Sequence, residues 1–116
     1  MNELAEQQDQ IEIDIDDARD TVDRAAALRR LLDNSDFIRI VDDGYFRDEA
    51  ARLCNVKADP EFDDDKSQAN ILRNINAIAP FKMYLRTILQ FGDMAERAMK
   101  ADEQTREDLL EEEAAA

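Results

Sequence analysis

The segment from Ile71 to Met99 constrains the fold most, because it carries most of the large apolar side chains of a chain that is otherwise strongly acidic. From Ile78 onward, apolar or small residues recur at alternating steps of three and four. This seam consists of Ile78, Phe81, Leu85, Ile88, Gly92, Ala95 and Met99. Such spacing is typical of a helix that packs along another helix. A second apolar face carries Tyr84, Leu89, Phe91 and Met94, so the helix has to be covered on two sides.

Length and composition favour long helices with few connections. The chain has 116 residues, which is one domain at most. Its 2 glycines and 2 prolines are too few for a sheet with tight turns. Aromatic residues make up 6% and tryptophan is absent, so the core has to be built mainly from Ile, Leu, Ala and Met. Such a core is thin for two long helices, and we therefore expect a homo-oligomer.

The charge of the chain argues against several classes of partner. With 29 acidic and 15 basic residues, the formal net charge is -14. Direct nucleic-acid binding and binding to anionic lipid are not expected, because phosphate binding depends on Lys and Arg. No segment approaches the length of a membrane span, and the acidic N-terminus is unlike a signal peptide. High solubility, a basic protein partner and imitation of nucleic acid all remain compatible with the charge.

The first third of the chain predicts one long helix. Residues 1–10 are polar and are expected to fray. Residues 11–17 alternate apolar and acidic side chains, which taken alone would indicate a strand. The longer window favours a helix, because its apolar residues follow a heptad seam that only Arg29 interrupts and that ends among good helix formers. The seam consists of Ile11, Ile15, Ala18, Val22, Ala25 and Leu32.

The middle of the chain predicts two short helices or one bent helix between about Asp36 and Val56. Asn34-Ser35-Asp36 is a helix stop followed by a new N-cap. Two apolar phases meet at Gly44, where a helix would bend or break. The first phase holds Phe37, Ile40 and Val41, and the second holds Phe46, Ala50, Leu53 and Cys54. We expect Cys54 to be a small buried apolar residue.

Residues 57–65 form the one clear loop, and a long helix follows from about residue 65 or 66 to about 110. Pro80 lies inside this helix. It either kinks the helix near residues 76–79 or breaks it into separate helices at 66–78 and 80–110. Residues 111–116 are expected to fray. The predicted fold is therefore a single all-α domain, coiled-coil-like, with long first and last helices.

No pattern predicts a catalytic, cofactor-binding or metal site. Counted from Asp59, the acidic loop has Asp64 and Asn70 where an EF-hand needs glycine and glutamate. The first helix carries four crowded carboxylates, which we interpret as a solvated face: Asp14, Asp16, Asp17 and Asp20. Because the chain contains no histidine, Cys54 lacks the usual partner of a catalytic thiol. Phosphate-binding, dinucleotide, zinc and nucleophile-elbow motifs are also missing, and we do not expect an enzyme.

Apolar residues supply the candidate interaction sites instead. Tyr45 and Phe46 beside Gly44 either anchor the middle helix onto the long helices or serve as an aromatic anchor for a partner protein. The hypothetical oligomer or partner interface consists of Ile78, Phe81, Tyr84, Leu85, Ile88, Phe91, Ala95 and Met99, together with Ile11, Ile15 and Val22. A three-helix antiparallel arrangement within one chain and an intertwined oligomer satisfy the same seams; we favour the oligomer.

Two segments resemble a pattern in small acidic helical proteins of tailed bacteriophages. The first has the form N-x-D-F…G-Y-F…E-A-x-R-L, here Asn34, Asp36, Phe37, Gly44, Tyr45, Phe46, Glu49, Ala50, Arg52 and Leu53. The second resembles F-x-x-Y/F-L-x-T-I…G-x-M-A-E, here Phe81, Tyr84, Leu85, Thr87, Ile88, Gly92, Met94, Ala95 and Glu96. The resemblance covers about residues 34–98, and Pro80 departs from the pattern. It implies a gene neighbourhood of virion and packaging proteins, and no catalytic residue.

Two functions follow as hypotheses. The first is a non-enzymatic phage structural or assembly protein, such as a virion component, scaffold-like factor or packaging accessory, that acts through helix–helix oligomerisation. The second is an acidic inhibitor or DNA mimic that binds a basic site on a host protein, since carboxylates spread along rods as phosphates line a duplex. Either function would place the protein in the host cytoplasm or in the virion, with phage or host proteins as partners.

Overall fold

The computed structural model describes residues 3–116, and these residues form helices joined by short connections, with no strand among them. The elements are α1 (Glu3–Leu32), α2 (Ser35–Phe37), a π-helix (Ile38–Glu49), α3 (Ala50–Lys57), a 3₁₀ turn (Pro60–Phe62) and α4 (Asp65–Ala115). The prediction of an all-α fold with long first and last helices is confirmed. The sequence predicts that residues 1–10 and 111–116 fray. Residues 3–10 and 111–115 are helical, and residues 1–2 lie outside the described part of the chain.

Side-chain caps mark the boundary after α1, as the sequence predicts. Asn34 has extended backbone angles, φ -74° and ψ 126°. Its side-chain oxygen accepts hydrogen bonds from the backbone N–H groups of Asp36 at 3.0 Å and Phe37 at 3.1 Å. These are N–H groups that a helix start leaves without an intrahelical partner. Asn34 therefore separates α1 from the helical segment that follows.

The middle segment is continuous rather than broken at Gly44. The π-helix joins α2 to α3 without an interruption. Its turns are wider than those of an α-helix and are closed by i→i+5 hydrogen bonds, so residues four and five apart share a face. Phe37, Val41, Phe46 and Ala50, which belong to two separate phases on an α-helix, thus form one half-buried stripe. Ile40 falls outside the stripe and is 69% exposed.

Gly44 occupies a crowded position inside the π-helix. A Cβ at Gly44 would lie 3.0 Å from the carbonyl oxygen of Arg39, five residues earlier. The φ angle of Gly44 is not positive, so the glycine does not introduce a left-handed turn. Its role is to permit the close approach between successive turns.

The expectation that Cys54 is buried is wrong. Cys54 is exposed, whereas its neighbour Leu53 is only 4% exposed. Consecutive residues of α3 point about 100° apart around the helix. Because Leu53 occupies the core position, Cys54 is turned toward solvent.

The loop before α4 is ordered by its own polar groups. Asp59 accepts a hydrogen bond from the Glu61 backbone N–H at 2.9 Å and so begins the 3₁₀ turn. Asp64 accepts one from the Ser67 backbone N–H at 2.9 Å and caps α4. The Gln68 amide donates to the carbonyl oxygens of Lys57 at 3.1 Å and Phe62 at 2.7 Å. The acidic loop is thus used for helix capping.

Helix α4 continues through Pro80 to Ala115, so of the two alternatives for Pro80 the break into separate helices is not observed. The contacts of the chain divide it into two compact units. Unit 1 combines the residues up to Leu28 with Ile88–Ala116, and its buried residues include Ile15 and Ala25. Unit 2 spans Arg29–Thr87, and its buried residues are Leu53 and Ile71.

Candidate functional site on the last helix

In unit 1, helix α1 and the C-terminal part of α4 pack closely against each other. A Cβ placed on Gly92 would overlap the Cβ of Ala25, and it would lie 3.7 Å from the Ala25 Cα and 3.8 Å from the Thr21 carbonyl oxygen. Ala25 is 0% exposed and Ile15 is 1% exposed. The absence of a side chain at Gly92 therefore lets the two helix backbones approach.

Polar contacts fix the direction in which these helices run. The Arg106 guanidinium donates to the Glu12 carboxylate, with 2.8 Å between Nη1 and Oε1. The Gln8 side-chain amide donates to Glu113 at 3.1 Å. Residues early in α1 thus meet residues late in α4, which makes the pair antiparallel. The hydrogen bond from Arg106 to Glu12 raises the pKa of the guanidinium.

The antiparallel pair accounts for part of the predicted interface. Ile15 is buried, and the other seam residues of unit 1 are half-buried: Ile11, Val22, Ile88, Ala95 and Met99. The α4 members of this set lie in phase with Gly92, on the side that α1 covers. The seam is therefore packed within one chain in this unit. The homo-oligomer stays a prediction.

A second face of α4 in unit 1 carries exposed apolar side chains. Phe91 is 55% exposed and Met94 is 61% exposed. Continuing at alternating steps of four and three, the same face adds three further exposed residues, Ala98, Ala101 and Thr105. We name these five residues, from Phe91 to Thr105, the outer stripe. Phe91 is among the interface residues predicted from the sequence, and the last three are not, although their steps of four and three from Met94 continue the same face.

The outer stripe is apolar and uncharged within a chain of which 38% of residues are charged. Its one polar side chain, Thr105, donates its hydroxyl hydrogen to the carbonyl oxygen of Ala101 at 3.0 Å. This internal bond satisfies the donor of Thr105 without a partner from outside. On one side the stripe is flanked by Gln90, Arg97 and Gln104, and on the other side Asp102 lies one turn after Ala98 and one turn before Thr105. The stripe therefore presents a surface of the kind that packs against another helix.

An open groove adjoins the end of the outer stripe. It has a volume of about 330 Å³ and is lined by Gln7, Gln10, Ile11, Thr105 and Leu109. Thr105 belongs both to the stripe and to this lining, so the groove opens on the side of α4 that carries the stripe. No lining residue is charged, although 29 residues of the chain are acidic. The groove can accept an apolar side chain without desolvating a carboxylate.

In unit 2, three aromatic rings form a cluster. The ring centroids of Tyr45 and Phe46 lie 6.0 Å and 5.5 Å from that of Phe81, and 5.7 Å from each other. The Lys82 ammonium lies 5.6 Å from the centroid of the Phe46 ring, at the distance of a cation–π contact. Tyr45 and Phe46 are half-buried. These contacts attach the π-helix to α4, and they agree with the first of the two roles considered for the aromatic pair.

The remaining predicted interface residues of unit 2 differ in exposure. Ile78 and Leu85 are half-buried. Phe81 is 38% exposed in spite of its two ring contacts, and Tyr84 is 56% exposed. Of these four residues, Tyr84 is the most exposed.

Carboxylates do not assemble into a metal site among residues 3–116, where no group of three or more potential ligands is found. The four crowded aspartates of α1 (Asp14, Asp16, Asp17 and Asp20) are exposed. Arg19 contacts one of them, Asp16, at 3.5 Å. Their arrangement is that of a solvated acidic helix face.

Comparisons with models of protein families, with curated proteins and with solved structures found no match. Among the described residues, no helix is both long and apolar enough to cross a membrane.

Proposed function

We propose that this chain is a non-enzymatic structural or assembly protein of a bacteriophage that acts through helix–helix self-association. The observation that carries the proposal is the outer stripe, because Phe91 and Met94 remain 55% and 61% exposed after the inner seam has been packed. Full burial of one such side chain contributes about 1.5–3 kcal/mol. Covering the stripe is therefore a substantial driving force for association.

The phage setting rests on the resemblance of residues 34–98 to small acidic helical proteins of tailed phages. Several residues of that pattern have structural roles in this chain. Gly92 lies at the closest helix contact of unit 1, and Tyr45, Phe46 and Phe81 form the aromatic cluster of unit 2. The proposed role is a virion component, scaffold-like factor or packaging accessory. The protein would then be found in the host cytoplasm or in the virion.

The molar mass in solution tests the proposal. Light scattering behind a sizing column should show a discrete dimer or larger species at moderate salt, and dissociation on dilution. Raising the salt concentration should favour association, because the net charge of -14 makes the copies repel one another. A monomer at all salt and protein concentrations would overturn self-association as the mode of action.

A double variant identifies the surface. Phe91→Gln with Met94→Gln should weaken association, whereas Ile13→Gln with Leu110→Gln is the matched control. Ile13 and Leu110 are 55% and 50% exposed but lie outside the stripe. Glutamine is a good helix former, so both double variants should keep their helicity. Equal weakening by both pairs would count against the stripe.

An acidic inhibitor of a basic host protein is the second candidate, and the exposed aspartates of α1 favour it. Asp14, Asp16, Asp17 and Asp20 present carboxylates to solvent within one stretch of helix. Binding of this kind should weaken steeply as salt increases. Immobilised full-length chain should retain a basic host protein at low salt, and the variant with all four aspartates changed to asparagine should not. Retention of no basic protein would remove this candidate.

A further inference from the structure

We propose that α4 carries, within unit 2, a docking face for an acidic amphipathic helix of another protein. We name it the cationic face, and it consists of the exposed residues Leu72, Arg73, Asn76, Ala79, Met83 and Arg86. The docked helix contacts Leu72 and Met83 with apolar side chains and pairs its carboxylates with Arg73 and Arg86. The inference adds a partner to the proposed self-association and does not depend on it.

The charges of the chain are unevenly distributed. Unit 1 contains 18 acidic and 5 basic residues, whereas unit 2 contains 11 acidic and 10 basic residues. All acidic residues of unit 2 precede Lys66, and no Asp or Glu occurs from Lys66 to Gly92. With 29 acidic residues among 116, a stretch of these 27 residues would on average hold about seven. Because 17 of the 27 residues are exposed, packing alone does not account for the absence of carboxylates.

The cationic face is a line of exposed residues between two arginines. At alternating steps of four and three, the line follows Leu72, Asn76, Ala79, Met83 and Arg86, so these residues share one side of α4. Leu72 is 47% exposed and Met83 is 56% exposed. Arg73 is the neighbour of Leu72 and lies 13 residues before Arg86, or about 20 Å at 1.5 Å per residue. The nearest carboxylates along α4 are Asp65, seven residues before Leu72, and Asp93, seven residues after Arg86.

The two arginines have no carboxylate partner within the described chain. Among residues 3–116, no ion pair involves Arg73 or Arg86. Four other arginines each contact a carboxylate of this chain: Arg19, Arg47, Arg52 and Arg106. Lys82, a further cation of the same stretch, lies 5.6 Å from the Phe46 ring centroid. Since the guanidinium fork matches a carboxylate in shape and charge, carboxylates of a partner complement this face.

The shape and charge of the face favour a single acidic helix over other anionic partners. The exposed line is one residue wide, which matches the apolar seam of one helix. DNA and anionic membranes present extended arrays of phosphates, and their binding requires many more cations than two arginines. A second copy brings its own net charge of -14 to the contact. A helical segment of another protein brings only the few carboxylates that the face can pair, so it meets less repulsion.

A designed peptide tests the proposal on the full-length chain. The probe is a fluorescein-labelled, alanine-rich helix of about 20 residues, with two leucines spaced like Leu72 and Met83 and two glutamates spaced like Arg73 and Arg86. The comparison peptide has glutamine in place of both glutamates. Fluorescence anisotropy at about 0.15 M salt, where charges are screened beyond about 8 Å, should show saturable binding of the acidic peptide. We expect it to bind at least tenfold more tightly than the comparison peptide.

Variants of the chain locate the binding surface. Arg73→Gln with Arg86→Gln should weaken binding of the acidic peptide at least tenfold. Arg39→Gln with Lys57→Gln is the matched control, because it removes the same charge at exposed positions of unit 2 outside the face. The control should change the affinity by less than twofold. Glutamine is a good helix former, and far-UV circular dichroism should show unchanged helicity for both double variants.

The outcomes separate this inference from the proposed function. Equal affinity for the two peptides, equal weakening by the two double variants, or no saturable binding below about 1 mM would overturn the docking face. Binding of a DNA duplex or of phosphatidylserine vesicles through Arg73 and Arg86, without peptide binding, would also overturn it. If Arg73→Gln with Arg86→Gln dissociates a self-associated species in light scattering, a second copy occupies the face and the proposal is wrong. A monomer that binds the acidic peptide would support this inference while overturning self-association.

Discussion

Gly92 and Ala25 are in such close contact that no side chain fits between the helices that carry them. An added Cβ at Gly92 would overlap the Cβ of Ala25, which is 0% exposed. The two residues are 67 positions apart in the sequence. Their contact makes the packing of α1 on α4 sensitive to a single methyl group.

We expect Gly92→Ala to destabilise the chain. Overpacking of a close contact costs about 1–3 kcal/mol, and the better helix propensity of alanine offsets about 1 kcal/mol of that cost. Urea unfolding followed by far-UV circular dichroism should show a lower midpoint at an unchanged slope. The double variant Gly92→Ala with Ala25→Gly moves the methyl group from one helix to the other, so it should recover most of the lost stability. A Gly92→Ala variant as stable as the parent would contradict the close contact.

Gly44→Ala should not give the stabilisation that this change brings to an ordinary α-helix. There, alanine is favoured over glycine by about 1 kcal/mol. In the π-helix the new Cβ would lie 3.0 Å from the Arg39 carbonyl oxygen, which removes the gain. The reverse change at an exposed α-helical position, Ala51→Gly, should cost the full amount and serves as the reference. Equal and opposite changes in the free energy of unfolding, relative to the parent, would show that Gly44 is not crowded.

Phe81→Ala should loosen the attachment of the π-helix to α4. The variant loses ring contacts to Tyr45 and Phe46 at centroid distances of 6.0 Å and 5.5 Å, and each aromatic pair is worth about 0.5–1.5 kcal/mol beyond its buried area. We expect a destabilisation of about 1–3 kcal/mol and a loss of tyrosine near-UV circular dichroism. Met83→Ala, at a position 56% exposed, should change stability by less than about 0.5 kcal/mol. Comparable effects of the two variants would argue against the cluster.

Asp64 should make the stability of the chain depend on pH. Hydrogen bonds from the Ser67 hydroxyl and the Ser67 backbone N–H lower the pKa of the Asp64 carboxyl. A lowered pKa in the folded state stabilises the fold above the pKa of the unfolded chain, about 3.9, and this stabilisation is lost as pH falls through the folded-state value. Asp64→Ala should therefore be less stable than the parent at pH 7, by a difference that shrinks on acidification. Asp64→Asn keeps an acceptor but does not titrate, so its difference from Asp64→Ala should persist at low pH.

Local patterns predicted the elements of this fold well. Helix propensity and the heptad of α1 outweighed the strand-like alternation of residues 11–17, and the Asn34 cap was readable from its residue type. The middle segment was harder, because Gly44 and the shift of apolar phase suggested a bend. On a π-helix the same residues share one stripe, and a 3.6-residue period cannot reveal this. Cys54 was misjudged because its neighbour Leu53 fills the core position.

The candidate site was only partly readable for a similar reason. The sequence located Phe91 and Met94 on a second apolar face, but the small residues that extend it, Ala98 and Ala101, also suit a solvated helix. In the structure they are exposed beside a packed seam, and only this arrangement distinguishes the outer stripe from an ordinary solvated face. The groove at Thr105 combines residues from both ends of the chain, so no local pattern could indicate it.

The sequence by itself determined that the chain is helical, where α1 ends and where α4 begins, since periodicity, capping residues and the scarcity of glycine and proline act over a few residues. The tertiary structure decided which apolar face is covered. Burial of apolar surface is non-directional, so the seam of α4 could have been covered by any helix with a matching stripe. The close approach of Gly92 to Ala25 selects α1 of the same chain for that face and leaves the outer stripe exposed.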